Sequence, residues 1–231
     1  MKQEEEHQEQ KQVKSRSRVR DHGEVFTAER EVKAMCDLVK DETERIDSLF
    51  LEPACGDGNF LAEILTRKLV SVTRFYRCRQ FDWEVKSLVA LGSLYGVDIL
   101  GDNVEACRGR LFGIWDAEYR RLFKSKCAEC VSLSARFILE RNIVRGNALS
   151  MKLVDDEARD TDSPIVFSQW SLLAGGVKMR REDFEFASLL AAAEQDSEIV
   201  PDTVPGSECL LQGSGRFLGS KLYPSRRIFD E

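Results

Sequence analysis

Leu51-Glu52-Pro53-Ala54-Cys55-Gly56-Asp57-Gly58-Asn59-Phe60-Leu61 is the stretch that decides the fold. An apolar run, Ser48 to Leu51, leads into an acid, then a glycine-punctuated turn, then a helical pattern over Asn59–Leu69. That is a strand, a tight loop and a helix N-terminus, the layout of a nucleotide-type cofactor site. The two glycines let backbone approach a ligand where a Cβ would collide. The helix N-terminus offers unpaired N–H groups to an electron-rich ligand group. A Gly-x-Gly alone is a weak signal. A dinucleotide site and a ligand-free strand-to-helix turn both stand as alternatives, although the third glycine of the dinucleotide fingerprint would fall at Leu61.

The neighbouring segments fall in the order an α/β fold imposes. Tyr95-Gly96-Val97-Asp98-Ile99 reads as a second strand ending in an acid. Ligands of open α/β sheets sit at the carboxyl ends of strands, so Asp98 is placed to accept hydrogen bonds from a ribose. A solvated turn carboxylate is the plainer reading. Asp102 opens a long amphipathic segment reaching to about Phe123, with Val104, Leu111, Ile114 and Trp115 at roughly helical spacing. Ile143-Val144 is a third strand and Pro164 to Ser168 a fourth, giving strands near 48–52, 94–98, 142–145 and 164–168. Upstream, His22-Gly23-Glu24-Val25-Phe26-Thr27 precedes a helical segment, Glu29 to Val39. On residues alone, Thr27 is an N-cap and Phe26 a staple.

Taken together, Glu-Pro-Ala-Cys-Gly-x-Gly-x-Phe-Leu, then Tyr-Gly-Val-Asp-Ile-Leu-x-Asp-Asn-Val-Glu, resembles the S-adenosyl-L-methionine loop and second motif of the amino-methyltransferases that act on DNA. The N6-adenine family is the nearest in wording. Gly23-x-x-Phe26-Thr27 is similar to that family's opening Gly-x-x-Phe-Thr-Pro segment, with Ala28 in place of the proline. The resemblance implies a Rossmann-like class I methyltransferase fold: a mostly parallel sheet with helices on both faces, here short at its C-terminal end. It also implies a cofactor site made of Phe26, Thr27, Glu52, Pro53, Ala54, Cys55, Gly56, Gly58, Asp98, Ile99, Asn147 and Ala148. In that site Glu52, Gly56 and Gly58 shape the methionine pocket and Asp98 holds the ribose. Asn147 stands where the family has the Asp that meets the cofactor adenine; its amide can accept or donate.

The likeness covers residues 16–150 well and 165–190 poorly. Where the family ends its fourth strand in Asn-Pro-Pro-Tyr or a close relative, this chain reads Phe167-Ser168-Gln169-Trp170-Ser171. Ser168 and Gln169 are then the candidate acceptors for a target amine, and Trp170 is the stacking face for a flipped base. The rigid double-proline turn is missing.

Composition narrows the class. The chain has 231 residues, 42% hydrophobic, enough for one sizeable domain and little more. It contains no apolar run of membrane-spanning length, and Met1-Lys2-Gln3-Glu4-Glu5-Glu6 is the opposite of a signal peptide. A soluble cytoplasmic protein is the expectation, and seven cysteines read as reduced thiols. Cys127-Ala128-Glu129-Cys130 has no second pair and the chain has two histidines, so no metal is expected.

Net charge is −6, unevenly placed. Three basic clusters, Lys11 to Arg20, Arg74 to Arg79 and Lys178 to Arg181, suit phosphate contacts if they converge near the substrate face, and solvated surface if they do not. Residues 1–20 read as a flexible charged segment, 21–190 as the methyltransferase domain, 191–231 as an acidic flexible tail. Residues 71–93 read as an insertion containing a helix over Glu84–Leu94, and Asp155–Ser163 as an acidic turn.

Three readings follow. One is a DNA adenine-N6 methyltransferase of restriction–modification type with an unusual catalytic turn. The second is a non-catalytic module that binds S-adenosyl-L-methionine or DNA and serves a specificity or restriction subunit. The third is a methyltransferase acting on RNA, protein or a small molecule.

Overall fold

The run Ser48–Leu51 becomes the short strand β1, Phe50–Glu52, and the glycine turn delivers the chain into helix α3, Asn59–Tyr76. The structure, a computed structural model, describes residues 27–173, 175–188 and 217–229. Ahead of β1 lie α1 (Glu29–Leu38) and α2 (Lys40–Glu44). After α3 come α4 (Gln80–Gly92), β2 (Leu94–Asp98), α5 (Gly101–Phe123), α6 (Glu129–Asn142) and β3 (Ile143–Asn147). A hairpin, β4 (Lys152–Val154) with β5 (Asp160–Pro164), and three further strands follow: β6 (Val166–Leu172), β7 (Lys178–Glu185) and β8 (Phe217–Pro224).

β1, β2 and β3 are parallel and adjacent in chain order. β4 and β5 extend that sheet antiparallel, so its order is β1-β2-β3-β4-β5 with β1 at one end. Alternation along the strands sorts the two faces. Phe50, Leu94 and Ile143 pack with the helices around Leu65, Trp83, Leu88, Leu111 and Trp115. Tyr95, Val97 and Val144 face the other way.

That second face departs from the expected architecture. It is covered not by helices but by the second sheet, through Ile165 just before β6, Phe167 on β6 and Phe186 just after β7. β6 is not a fourth parallel strand either. It pairs antiparallel with β7, and β7 with β8, in a separate three-stranded sheet. An apolar run carries no direction, and here the Gly175-Gly176 turn, with φ of +86° and +70°, folds β6 back on β7 as a hairpin.

Other boundaries shift for similar reasons. α3 runs on through Val72 to Tyr76, because Leu65, Leu69 and Val72 continue the buried stripe past Leu69. The Asp155–Ser163 segment is a hairpin: Asp155 Oδ1 accepts the Glu157 and Arg159 N–H groups, closing the turn into β5. The expected flexible tail contains an ordered strand. Tyr223 packs on Trp170 and Phe137, and the buried Ile228 donates its N–H to Ser134 Oγ at 3.0 Å. Arg226 reaches the fully buried Glu84 at 2.6 Å, beside Gln80 and the Tyr119 hydroxyl.

Lys68 fixes where β1 begins. It is fully buried on α3, and its ammonium donates to the carbonyls of Arg45, Ile46 and Ser48 and to Ser93 Oγ, at 2.6–3.1 Å. One side chain thus ties the turn before β1 to the residue before β2. Among the described residues no helix is long and apolar enough to cross a membrane.

Candidate cofactor site

Asp98 is the hub of the carboxyl end of the sheet. Its Oδ2 accepts the Gly56 N–H at 2.9 Å, and its Oδ1 accepts the Leu100 N–H at 2.8 Å and the Asn103 amide at 3.3 Å. The Cys55 N–H bonds the Val97 carbonyl at 2.9 Å, so the loop after β1 is laid across the end of β2. A carboxylate offers about four lone-pair positions, which leaves Asp98 room for one more donor.

The loop itself is shaped by its glycines. Gly58 has φ +89° and is buried, and a Cβ there would come within 2.7 Å of Cys107 Sγ on α5. It stands at the N-cap of α3 with no side chain capping the helix, so the first N–H groups of α3 are open to a ligand. Arg110 braces the outside of the loop through Asp57, at 2.7 Å. Thr27 arrives there too: its carbonyl accepts the Asn59 amide at 3.4 Å. Phe26 lies outside the described residues.

Glu52 is half-buried at the end of β1. Burial holds its carboxyl above the ordinary range, against the lowering effect of the Ala54 N–H. Pro53 and Ala54 are exposed and Cys55 is buried. Hydrogen bonding to Cys107, together with burial, pushes the Cys55 thiol far up, which makes it a packing residue and not a nucleophile.

Asn147 ends β3, but its amide is already engaged. It donates to Asp160 Oδ1 at 3.0 Å and accepts the Leu149 N–H at 3.0 Å. Ala148 packs under the second sheet with Val144 and Met151. Ile99 presents its carbonyl to Arg145 Nε at 3.3 Å. Arg145 was not singled out from the sequence. It pairs in register with Asp98, lies where a Cβ on Gly101 would meet it at 3.5–3.6 Å, and reaches Asp156 at 2.9 Å. The structure thus gathers Thr27, Glu52 to Gly58, Asp98 and Ile99 around one loop, with Asn147 at the end of the next strand, β3, and Ala148 just after it.

Ser168, Gln169 and Trp170 are not part of that cluster. The Ser168 N–H bonds Asn142, the residue before β3, and its hydroxyl donates to Asp183 at 2.6 Å. Trp170 is 7% exposed and lies against Gly92, two residues before β2, where a Cβ would meet it at 2.7 Å. Both contacts are at the amino ends of the strands. β2 alone climbs about 13 Å from Leu94 to Asp98 at roughly 3.3 Å per residue, so the expected catalytic turn stands at the wrong end of the sheet. Gln169 is half-buried between them on β6. Ser168 and Trp170 help build the contact between the second sheet and the helices.

Two basic clusters also move out of the site. Arg74 to Arg79 ends α3, an 18-residue helix, about 27 Å from the loop at its start. In the other, Met179 and Arg181 are buried in β7, Arg181 pairs with Asp183 and Arg180 with Glu182. Lys11 to Arg20 lies outside the described residues. No family model, curated protein or solved structure matches this chain.

Proposed function

We propose that this chain is the cofactor-binding part of an S-adenosyl-L-methionine-dependent DNA methyltransferase, of the adenine-N6 type, and that a partner subunit completes the catalytic site. The observation that carries the reading is the Glu52–Gly58 loop, tied to Asp98 across 42 residues by the Gly56 N–H. The residues present fit such a cofactor: an uncapped helix N-terminus for a carboxylate, a half-buried acid for an ammonium, and Asp98 for a ribose hydroxyl. The parallel β3-β2-β1 order supports the reading, because it matches one half of a doubly wound sheet, in which the ligand crevice opens at the outer side of β1.

When bound, the cofactor supplies a methyl group on a positively charged sulfur with a good leaving group. The chain's own part is positioning. Glu52 and the loop hold the methionine end, and Asp98 the ribose. Ser168, Gln169 and Trp170, the groups expected to meet a target amine, do not stand beside the loop, which favours the partner-dependent reading over catalysis by this chain alone. The test is binding and turnover together. The purified chain is expected to bind S-adenosyl-L-methionine and to transfer no radiolabelled methyl to unmethylated DNA by itself. Label in the DNA would refute the partner-dependent part; absence of cofactor binding by folded protein would refute the whole.

A further inference from the structure

β1 has an open outer edge. Phe50 donates its N–H to Ser93 at 2.9 Å on the β2 side, so the N–H and C=O of Leu51 point away from β2, and among the described residues no strand pairs with them. The edge is apolar on both faces. On the helix side a groove of about 190 Å³ runs along it, lined by Met35, Val39, Phe50, Phe60 and Ile64. On the other side Leu49 and Leu51 are 38% and 41% exposed, beyond the cover that β6 gives Tyr95 and Val97. Parallel strands are normally buried on both faces, and an unpaired edge is a template for another strand.

Charge identifies the occupant. Between Glu29 and Glu52 the chain carries eight acids and four bases. In the segment leading directly into the edge Asp41, Glu42, Glu44 and Asp47 outnumber Lys40 and Arg45, which pair with the last three, so a net negative charge remains.

We infer that the outer edge of β1 receives an apolar, extended strand, flanked by basic residues, from a partner polypeptide. Alternate side chains of that strand fill the Met35–Phe60 groove and cover Leu49 and Leu51, and its backbone pairs with Leu51. Laid parallel to β1, its carboxyl end arrives beside Glu52 and the loop, where groups that meet a substrate must stand. This rests on the reading of the loop as a cofactor site and names where the completing subunit attaches.

The probe is a capped peptide, Lys-Lys-Val-Ile-Val-Ile-Val-Lys-Lys, titrated to millimolar concentration into the full isotopically labelled chain. Saturable shifts confined to residues 35–39, 49–52 and 60–64 are expected, weakened about tenfold when glutamates replace the lysines. Leu51→Pro removes the outward N–H without touching the β2 ladder and abolishes the shifts. Leu51→Lys, which keeps the N–H and places a like charge on the patch, weakens them if the proline variant fails to fold. Absence of shifts, equal binding by Leu51→Lys, or a wild-type dimer in sedimentation that Leu51→Lys dissociates would overturn the inference, the last by making a second copy the occupant. S-adenosyl-L-methionine binding is measured on the same samples: its loss in wild type defeats the cofactor reading, whereas its persistence without peptide binding defeats only the edge.

Discussion

The Gly56 N–H and the Asp98 carboxylate meet at 2.9 Å, and this bond joins the loop after β1 to the end of β2. Everything proposed for the site depends on that junction. Asp98→Ala leaves the Gly56 and Leu100 N–H groups without their acceptor. A loss of about 1–3 kcal/mol in unfolding free energy is expected, with cofactor affinity falling by a further ~1.5–3 kcal/mol. Urea unfolding and calorimetric titration measure the two separately; an unchanged affinity in a folded Asp98→Ala chain would remove Asp98 from the site.

Gly58→Ala is opposed twice, by φ of +89° and by Cys107 Sγ at 2.7 Å. About 1–3 kcal/mol of destabilisation is expected from the backbone strain alone, more with the clash. Adding Cys107→Ala should recover the clash and leave the strain, so the double variant unfolds between Gly58→Ala and wild type. Full recovery would show that the left-handed backbone at Gly58 is not a constraint.

Trp170→Ala empties a site between Gly92, Phe137 and Tyr223. The expected cost is about 3–5 kcal/mol of stability, the usual range for deleting a buried aromatic. Cofactor affinity of the fraction that remains folded should be unchanged, because the side chain stands at the far end of β2. A stable Trp170→Ala protein with impaired cofactor binding would return Trp170 to the site.

Burial pushes the Lys68 ammonium down to about 7, against the pull of Asp47. The unfolded side chain stays protonated to about 10.4, so between these values the unfolded state binds more protons and stability rises with pH. Lys68's contribution is therefore complete above its unfolded pKa and lost as pH falls through 7. Above about 8.5 the thiols of the unfolded chain ionise while the buried Cys55 and Cys36 thiols resist, which works in the opposite direction. The clean window is pH 7 to 8.5. Urea midpoints should rise across it in wild type and stay flat in Lys68→Met, which will also be less stable at every pH because it strands three carbonyls. Equal slopes would mean that Lys68 keeps its proton.

The parts of the fold that were legible in the sequence are those with local signatures. The Glu52–Gly58 turn, the Asp98 strand end and the helix from Asp102 each announce themselves within a dozen residues, and β1, β2 and β3 lie within two residues of the expected ranges. The direction of β6 is not legible in its own residues: nothing in Ile165-Val166-Phe167 distinguishes a parallel from an antiparallel neighbour, and only five residues separate Leu172 from its partner β7. Gly175-Gly176 was a usable hairpin signal. Tyr223 and Ile228 owe their burial to contacts with α6 and β6 that no local pattern reveals.

The most direct measurement is calorimetric titration of S-adenosyl-L-methionine into the full chain, with NAD as the competing ligand. Single-site binding of S-adenosyl-L-methionine, weakened in Asp98→Ala and absent for NAD, is the expected result. Binding of NAD in preference, or no binding of either by a chain shown to be folded, would contradict the assignment of the Glu52–Gly58 loop.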